Sequence, residues 1–211
     1  MTAAGATPPV LWFLDTASLL SMAIDSRIDT TVVDEIAATS GRMVLIDVVG
    51  DELAYRARRP HTPALARQAI SSLGPDPKWL NTEWIDIDAV EQVQYDVADG
   101  HVLKDDYEHW AESVIIALCR DSQARDQARG SALDVRFLTE DFNARRVANR
   151  EPSMTPLSRH RLFHNRVQRG AMNAADAQQM SKMIEAAGRG PDTTADEFLG
   201  KPRRLGRAGW P

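Results

Sequence analysis

Four acidic residues, Asp15, Glu52, Glu112 and Asp141, stand where a chain of alternating strands and helices could bring them together. Carboxylates are hard oxygen donors. Held close, they repel one another, and a divalent cation such as Mg²⁺ or Mn²⁺ relieves that repulsion. A cation so held activates water and polarises phosphate oxygens, so the chemistry at stake is metal-assisted hydrolysis. Each acid also has a plainer reading. Asp15 and Asp141 precede helical segments and suit N-caps, and Glu52 suits a solvated helix face. Glu112 is harder to explain away. It enters the apolar run Val114–Cys119, where an unpartnered carboxylate is costly.

The elements that must position these acids are legible as apolar runs and their punctuation. Val10 to Leu14 (VLWFL), Met43 to Ile46 and Val135 to Leu138 read as buried strands, with Trp84 to Ile87 as a further one. Helical segments are expected over 16–23, 30–39, 47–58, 61–73, 89–98, 107–124, 142–149, 157–168 and 174–187. Strands alternating with helices predict an α/β domain with a mainly parallel central sheet. In such sheets ligands bind beyond the carboxyl ends of the strands. Asp15 follows the first strand directly, and Asp141 lies just past the strand that ends at Leu138.

Four segments carry the acids: LWFLDTASLL (11–20), DVVGDELAYRA (47–57), HWAESVIIAL (109–118) and VRFLTEDFNARRVA (135–148). In order and context they resemble the acidic motifs of the PIN-domain ribonuclease family, the last two most closely those of relatives allied to VapC-type toxins. The chain departs from that pattern in two places. Ala111 stands where the family has glycine, and Glu140 stands where an aspartate is usual. The resemblance implies a three-layer α/β/α PIN-like fold over residues 10–150; beyond it the residue pattern reads as a helical extension over 151–190 and the Gly-, Pro- and Arg-rich end as an irregular basic tail over 191–211. It implies an Mg²⁺- or Mn²⁺-dependent endoribonuclease, and the toxin of a toxin–antitoxin pair is one form this could take. Asp15, Glu112 and Asp141 would then be metal ligands, and Glu52 would orient or deprotonate the attacking water. RNA, an antitoxin protein and a second copy of the chain are the partners it implies. Asp47, Asp105 and Asp106 are further acids that could stand in for Glu52 or Glu112.

Charge is distributed to suit a polyanionic substrate. The net charge is -5, but residues 1–141 carry 12 Lys/Arg against 24 Asp/Glu, whereas residues 142–211 carry 13 against 6. Arg145 and Arg146 follow Asp141 closely and are candidate substrate-binding residues, together with Thr139, which could also steady Asp141. Arg150, Arg159, Arg161, Arg166 and Arg169 extend a basic surface on which His160 and His164 read as exposed histidines. Thr16 and Ser18 could hydrogen-bond a metal-bound water. The single cysteine, Cys119, is expected to be a buried core thiol, and Trp12 and Trp110 are expected in the core. No apolar stretch approaches a membrane span and no secretory signal is apparent, which predicts a cytoplasmic location.

Two other classes lack the residues they require. A haloacid-dehalogenase-like phosphatase needs a second aspartate two residues after Asp15, and that position is Ala17. A plain nucleic-acid-binding protein would show a helix-turn-helix, zinc-finger or RNA-recognition signature, and none is visible. A degenerate PIN scaffold, binding RNA or a protein without catalysis, is the alternative that keeps the acids.

Overall fold

The computed structural model describes residues 10–58, 63–103, 108–129 and 133–188; the basic tail, Asp105 and Asp106 lie outside them. In chain order the elements are β1 (Val10–Leu14), α1 (Thr16–Met22), α2 (Ser26–Ala38), β2 (Arg42–Ile46), α3 (Asp47–Arg56), α4 (Pro63–Ser72) and β3 (Trp79–Leu80). They continue with α5 (Ile87–Ala98), α6 (Trp110–Arg129), β4 (Asp134–Leu138), α7 (Phe142–Ala148), β5 (Met154–Leu157), α8 (Arg159–Gln168) and α9 (Ala174–Ala186).

All five strands are parallel, in the order β3-β2-β1-β4-β5. The chain runs outward from β1 through β2 to β3, then crosses back to lay β4 on the other side of β1. Right-handed crossovers therefore put α1–α4 on one face and α5–α7 on the other. The packing agrees, since α1 meets α2, α3 and α4, while α5 meets α6 and α7. The result is a three-layer α/β/α domain. α8 and α9 lie over α2, with the Arg166 and Arg169 guanidinium groups on Glu35 and Met180 beside Thr31.

The core follows from the apolar runs. Trp12, Phe13 and Leu14 of β1 and Val135, Phe137 and Leu138 of β4 are buried, as is the stretch Val114–Cys119 of α6. The Trp12 indole N–H donates to Thr39 Oγ1 at 2.9 Å, and Gly41 lets that ring sit against the turn after α2. A Cβ at position 41 would come within 2.6 Å of the Trp12 ring. Gly41→Ala is therefore expected to cost about 1–3 kcal/mol, read as a lower urea midpoint with the denaturant slope unchanged. Trp110 is only partly buried against this core. Cys119 is buried and its thiol is pushed up to about 12, chiefly by burial, so it is inert.

Two expected elements differ. The third strand is Trp79–Leu80, not Trp84–Ile87. The apolar residues at 84, 85 and 87 surround Asp86, whose side chain accepts from Asp88 N–H and caps α5. The Ile85 N–H bonds the Thr82 carbonyl in a turn at 3.0 Å, and the Trp84 indole bonds the Asn81 carbonyl. Beyond residue 151 the chain is not helical throughout, because Met154–Leu157 adds the outermost strand before the two expected helices. Pro156 is tolerated there because an edge strand has one side on which an N–H is not required.

Candidate active site

Strand order reverses between β1 and β4, so their carboxyl ends form the switch point of the sheet. The two ends are tied together. Asp15 N–H donates to the Leu138 carbonyl at 3.2 Å, and the Ser18 hydroxyl donates to the same carbonyl at 2.9 Å. Asp15 and Asp141 thus leave adjacent strands at one crevice, and each caps the helix that follows. Asp15 Oδ1 accepts from Ser18 N–H at 2.6 Å, and Asp141 Oδ1 accepts from Ala144 N–H at 2.7 Å. Capping and site chemistry coexist here, because each cap uses one carboxylate oxygen.

The second oxygens are where the site lies. Asp15 is fully buried, and its Oδ2 has no hydrogen-bond partner. Burial raises its pKa, opposed by the Ser18 and Thr139 hydroxyls, the Ser18 N–H and the more distant Arg159 charge. Glu112, on the first turn of α6, is pushed up to about 8. Burial is the largest cause, followed by the charge of Asp15, with Asp141 and Glu52 adding to it against a backbone hydrogen bond. The sequence-predicted acids are therefore electrostatic neighbours. Glu52 of α3 stands at the more open side, accepting from the Thr16 hydroxyl at 2.6 Å and paired with Arg56.

Asp141 is partnered by a histidine that the sequence reading did not single out. His109 Nδ1 lies 3.0 Å from Asp141 Oδ2. Burial pushes the Asp141 carboxyl up, but the His109 hydrogen bond and charge and the Ala144 and Asn143 N–H groups outweigh it and hold it low. His109 is raised in turn, first by its hydrogen bond to Asp141, against burial, and further by the Asp141, Glu112 and Glu108 charges. His109 occupies the left-handed region at φ 61, and its carbonyl accepts both the Ser113 N–H and hydroxyl, so it starts α6. An L-residue there costs about 1 kcal/mol. The expected helix start at Tyr107 would have buried this turn inside the helix; the start at Trp110 is what swings His109 toward Asp141. The legible signal was the histidine three residues ahead of Glu112.

The supporting residues divide. The Thr139 hydroxyl accepts Asp141 N–H at 3.1 Å and so steadies the acidic turn. Thr16 and Ser18 are spent on Glu52 and Leu138. Arg145 is buried and its Nη1 donates to the Thr139 carbonyl at 2.8 Å, whereas Arg146 turns to Asp99 and the Asp96 carbonyl. Asp47 cannot replace an acid of the cluster, because its carboxylate accepts the Val48 and Thr82 N–H groups and the Thr82 hydroxyl. The expected basic surface is present only in part: Arg159 is buried on Glu140 and Arg166 on Glu35, whereas Arg150 is exposed, Arg161 half-buried and Arg169 exposed while also pairing with Glu35. His160 is buried rather than exposed, and burial lowers it to about 4. His164 is half-buried and also lowered by burial.

Glu140, the residue that departs from the family pattern, locks the turn from beneath. Its Oε1 accepts Arg159 N–H at 2.6 Å and Nε at 2.9 Å. Burial raises its pKa, and the charge and hydrogen bonds of Arg159 overcome this and hold it low. Glu140→Gln removes the carboxylate charge that faces the buried Arg159 guanidinium. It is expected to cost about 3 kcal/mol in urea unfolding, and Arg159→Met, which removes the buried cation instead, is the comparison variant.

Oxygen donors of this kind suit Mg²⁺ or Mn²⁺, and the orphaned Asp15 Oδ2 beside Glu112 fits such an ion. Among the described residues no group of three or more His, Cys, Asp or Glu side chains is placed to hold a metal ion; Glu52 is turned onto Arg56 and Asp141 onto His109. The acids line neither of two open cavities, of about 370 and 470 Å³, elsewhere on the domain. No described helix is long and apolar enough to cross a membrane. No family model, no characterised protein and no solved structure matches this chain.

Proposed function

We propose that the chain is a metal-dependent ribonuclease of the PIN type, with Asp15, Glu52, Glu112 and Asp141 as its acidic site. One observation carries the reading. Four carboxylates from four different elements crowd the switch point closely enough that Asp15, Asp141 and Glu52 together help push Glu112 up to about 8. Such crowding is unfavourable in a metal-free protein, and it is what a site built for a divalent cation pays in the ion's absence.

Asp15 Oδ2 and Glu112 are the groups that would hold Mg²⁺ or Mn²⁺, with Asp141 as a further carboxylate beside them. The bound ion would supply Lewis acidity toward a phosphodiester and its attacking water. The chain's own residues do the rest. Thr139 and the α7 cap fix the Asp141 carboxylate, and Ser18 fixes Asp15. Glu52, held by Thr16 and Arg56 at the open side, is placed to accept a proton from water. His109, hydrogen-bonded to Asp141, would serve as the proton donor toward the leaving oxygen. A protein partner, whether an antitoxin or a second copy, belongs to the reading on the strength of the family resemblance alone.

The test is cleavage of total RNA by the purified chain in Mg²⁺, Mn²⁺ or EDTA, beside Asp15→Ala and Asp141→Ala variants. Metal-dependent cutting lost in both folded variants is the expected result. Cutting that persists in both would overturn the site. Metal-independent RNA binding without any cutting would instead favour the degenerate scaffold, the reading in which the acids only position a partner.

A further inference from the structure

We propose that the open cavity bounded by α2, β4, β5 and α8 binds a small phosphate-bearing ligand of nucleotide size. The cavity measures about 370 Å³, within the usual range for small-molecule sites. Arg136, Arg145, Arg161 and Arg169 line it, with Trp12 and Asn165 among the other walls, and the single lining carboxylate is Glu35. Glu35 already serves two guanidinium groups, Arg166 and Arg169. Four guanidinium groups against one carboxylate is a local excess that composition does not explain, because the chain as a whole carries -5.

Arg136 is the most telling residue. It belongs to β4, with a strand on either side and helices over both faces, and stands in register between Trp12 of β1 and Thr155 of β5. Strands in that position are ordinarily apolar throughout. Its Nη2 reaches Asp134 at 3.2 Å, but its Nε is buried with no hydrogen-bond partner. A buried, unsatisfied guanidinium N–H is costly, and an anion in the cavity removes that cost. Guanidinium forks match phosphate and carboxylate oxygens in geometry, and four of them against one carboxylate favour the more highly charged anion, a phosphate ester. The cavity is separate from the acidic site, since none of the four acids lines it.

The experiment is calorimetric titration of the full chain in EDTA with ADP, pyrophosphate and adenosine as probes. The chains compared are wild type, Arg136→Gln, Arg161→Ala and Asp15→Asn. Arg145 is left intact because it holds the Thr139 carbonyl. ADP and pyrophosphate are expected to bind and adenosine is not. Each arginine variant should weaken binding about tenfold, and Asp15→Asn should leave it unchanged. Arg161 is half-buried at the start of α8, so its variant keeps the comparison decisive even where Arg136→Gln perturbs folding. Absence of ADP and pyrophosphate binding overturns the proposal. So does equal binding by Arg161→Ala, or binding lost in Asp15→Asn. Binding of a short oligoribonucleotide with no binding of either small anion would also overturn it, by making the cavity part of an RNA path.

Discussion

Asp15→Asn is expected to lower RNA cleavage on the order of 10²–10³-fold while stabilising the metal-free protein by about 1–2 kcal/mol. The two effects share one cause. Asp15 is fully buried, Oδ1 caps α1 through Ser18 N–H, and Oδ2 has no partner. Asparagine keeps the cap, for which it is as good as aspartate, and removes the charge that helps raise Glu112. What is lost is an anionic oxygen facing the crevice. Asp15→Ala separates the roles, because it removes cap and charge together and forfeits about 1 kcal/mol of capping. The measurements are turnover of an RNA substrate in Mg²⁺ and urea midpoints in EDTA. A site residue gives an Asn variant that is inactive and more stable than wild type. If asparagine is instead active within a few-fold, Asp15 is a helix cap and nothing more. A trade between stability and activity of this sign is the usual mark of a residue kept for function.

How far the sequence carried this reading depends on the range of the interactions involved. β1, β2, β4 and most helices were legible because an apolar run or a periodic face is a local signal, read within one element. Val10–Leu14 and Asp134–Leu138 needed nothing else. β5 was not legible, because Met154-Thr155-Pro156-Leu157 has neither alternation nor a continuous apolar run and owes its strand to pairing with β4. Trp84–Ile87 misled in the opposite direction: its apolar side chains outweighed the capping aspartate between them. Asp15 and Asp141 were legible for a similar reason, since a residue just past a parallel strand must lie at the carboxyl edge of the sheet, whereas Glu52 and Glu112 were singled out through the resemblance to the PIN-domain motifs. Their partners were not. The Glu140–Arg159 pair joins residues far apart in the chain, and counting charges assigned Arg159 to a surface it does not reach. The His109–Asp141 contact depends on one residue at positive φ, and His109-Trp110 does not announce such a turn as a glycine would.

The metal-free protein should lose stability as pH rises from about 6.5 to 8, by up to about 1.4 kcal/mol per pH unit for each group that titrates; below 6.5 His160, lowered to about 4, acts in the opposite direction. Asp15, Glu112 and His109 are all raised and give this sign, the last two within the window. Glu112 is held at about 8 against an ordinary 4.5, so between those values the folded chain keeps a proton that the unfolded chain has released. Stability contributed in that way is complete at the acid end and gone once pH passes 8. His109, raised above its ordinary 6.5, acts in the same direction: its contribution is full below 6.5 and disappears as pH climbs through its folded value. Asp141 acts oppositely but in another window. Its lowered pKa contributes stability above 3.8 that is lost on acidification below it. Thermal midpoints in EDTA across pH 6.5–8 read Glu112 and His109 apart from Asp141 and His160. Glu112→Gln and His109→Asn should each flatten part of the profile. Millimolar Mg²⁺ should raise the midpoint more at pH 8 than at pH 5, because protonated Glu112 competes with the ion. A flat wild-type profile, or a slope that Glu112→Gln leaves unchanged, would mean that the carboxylates do not share a field. The acidic site would then be four separate residues, each explained by its own cap or ion pair.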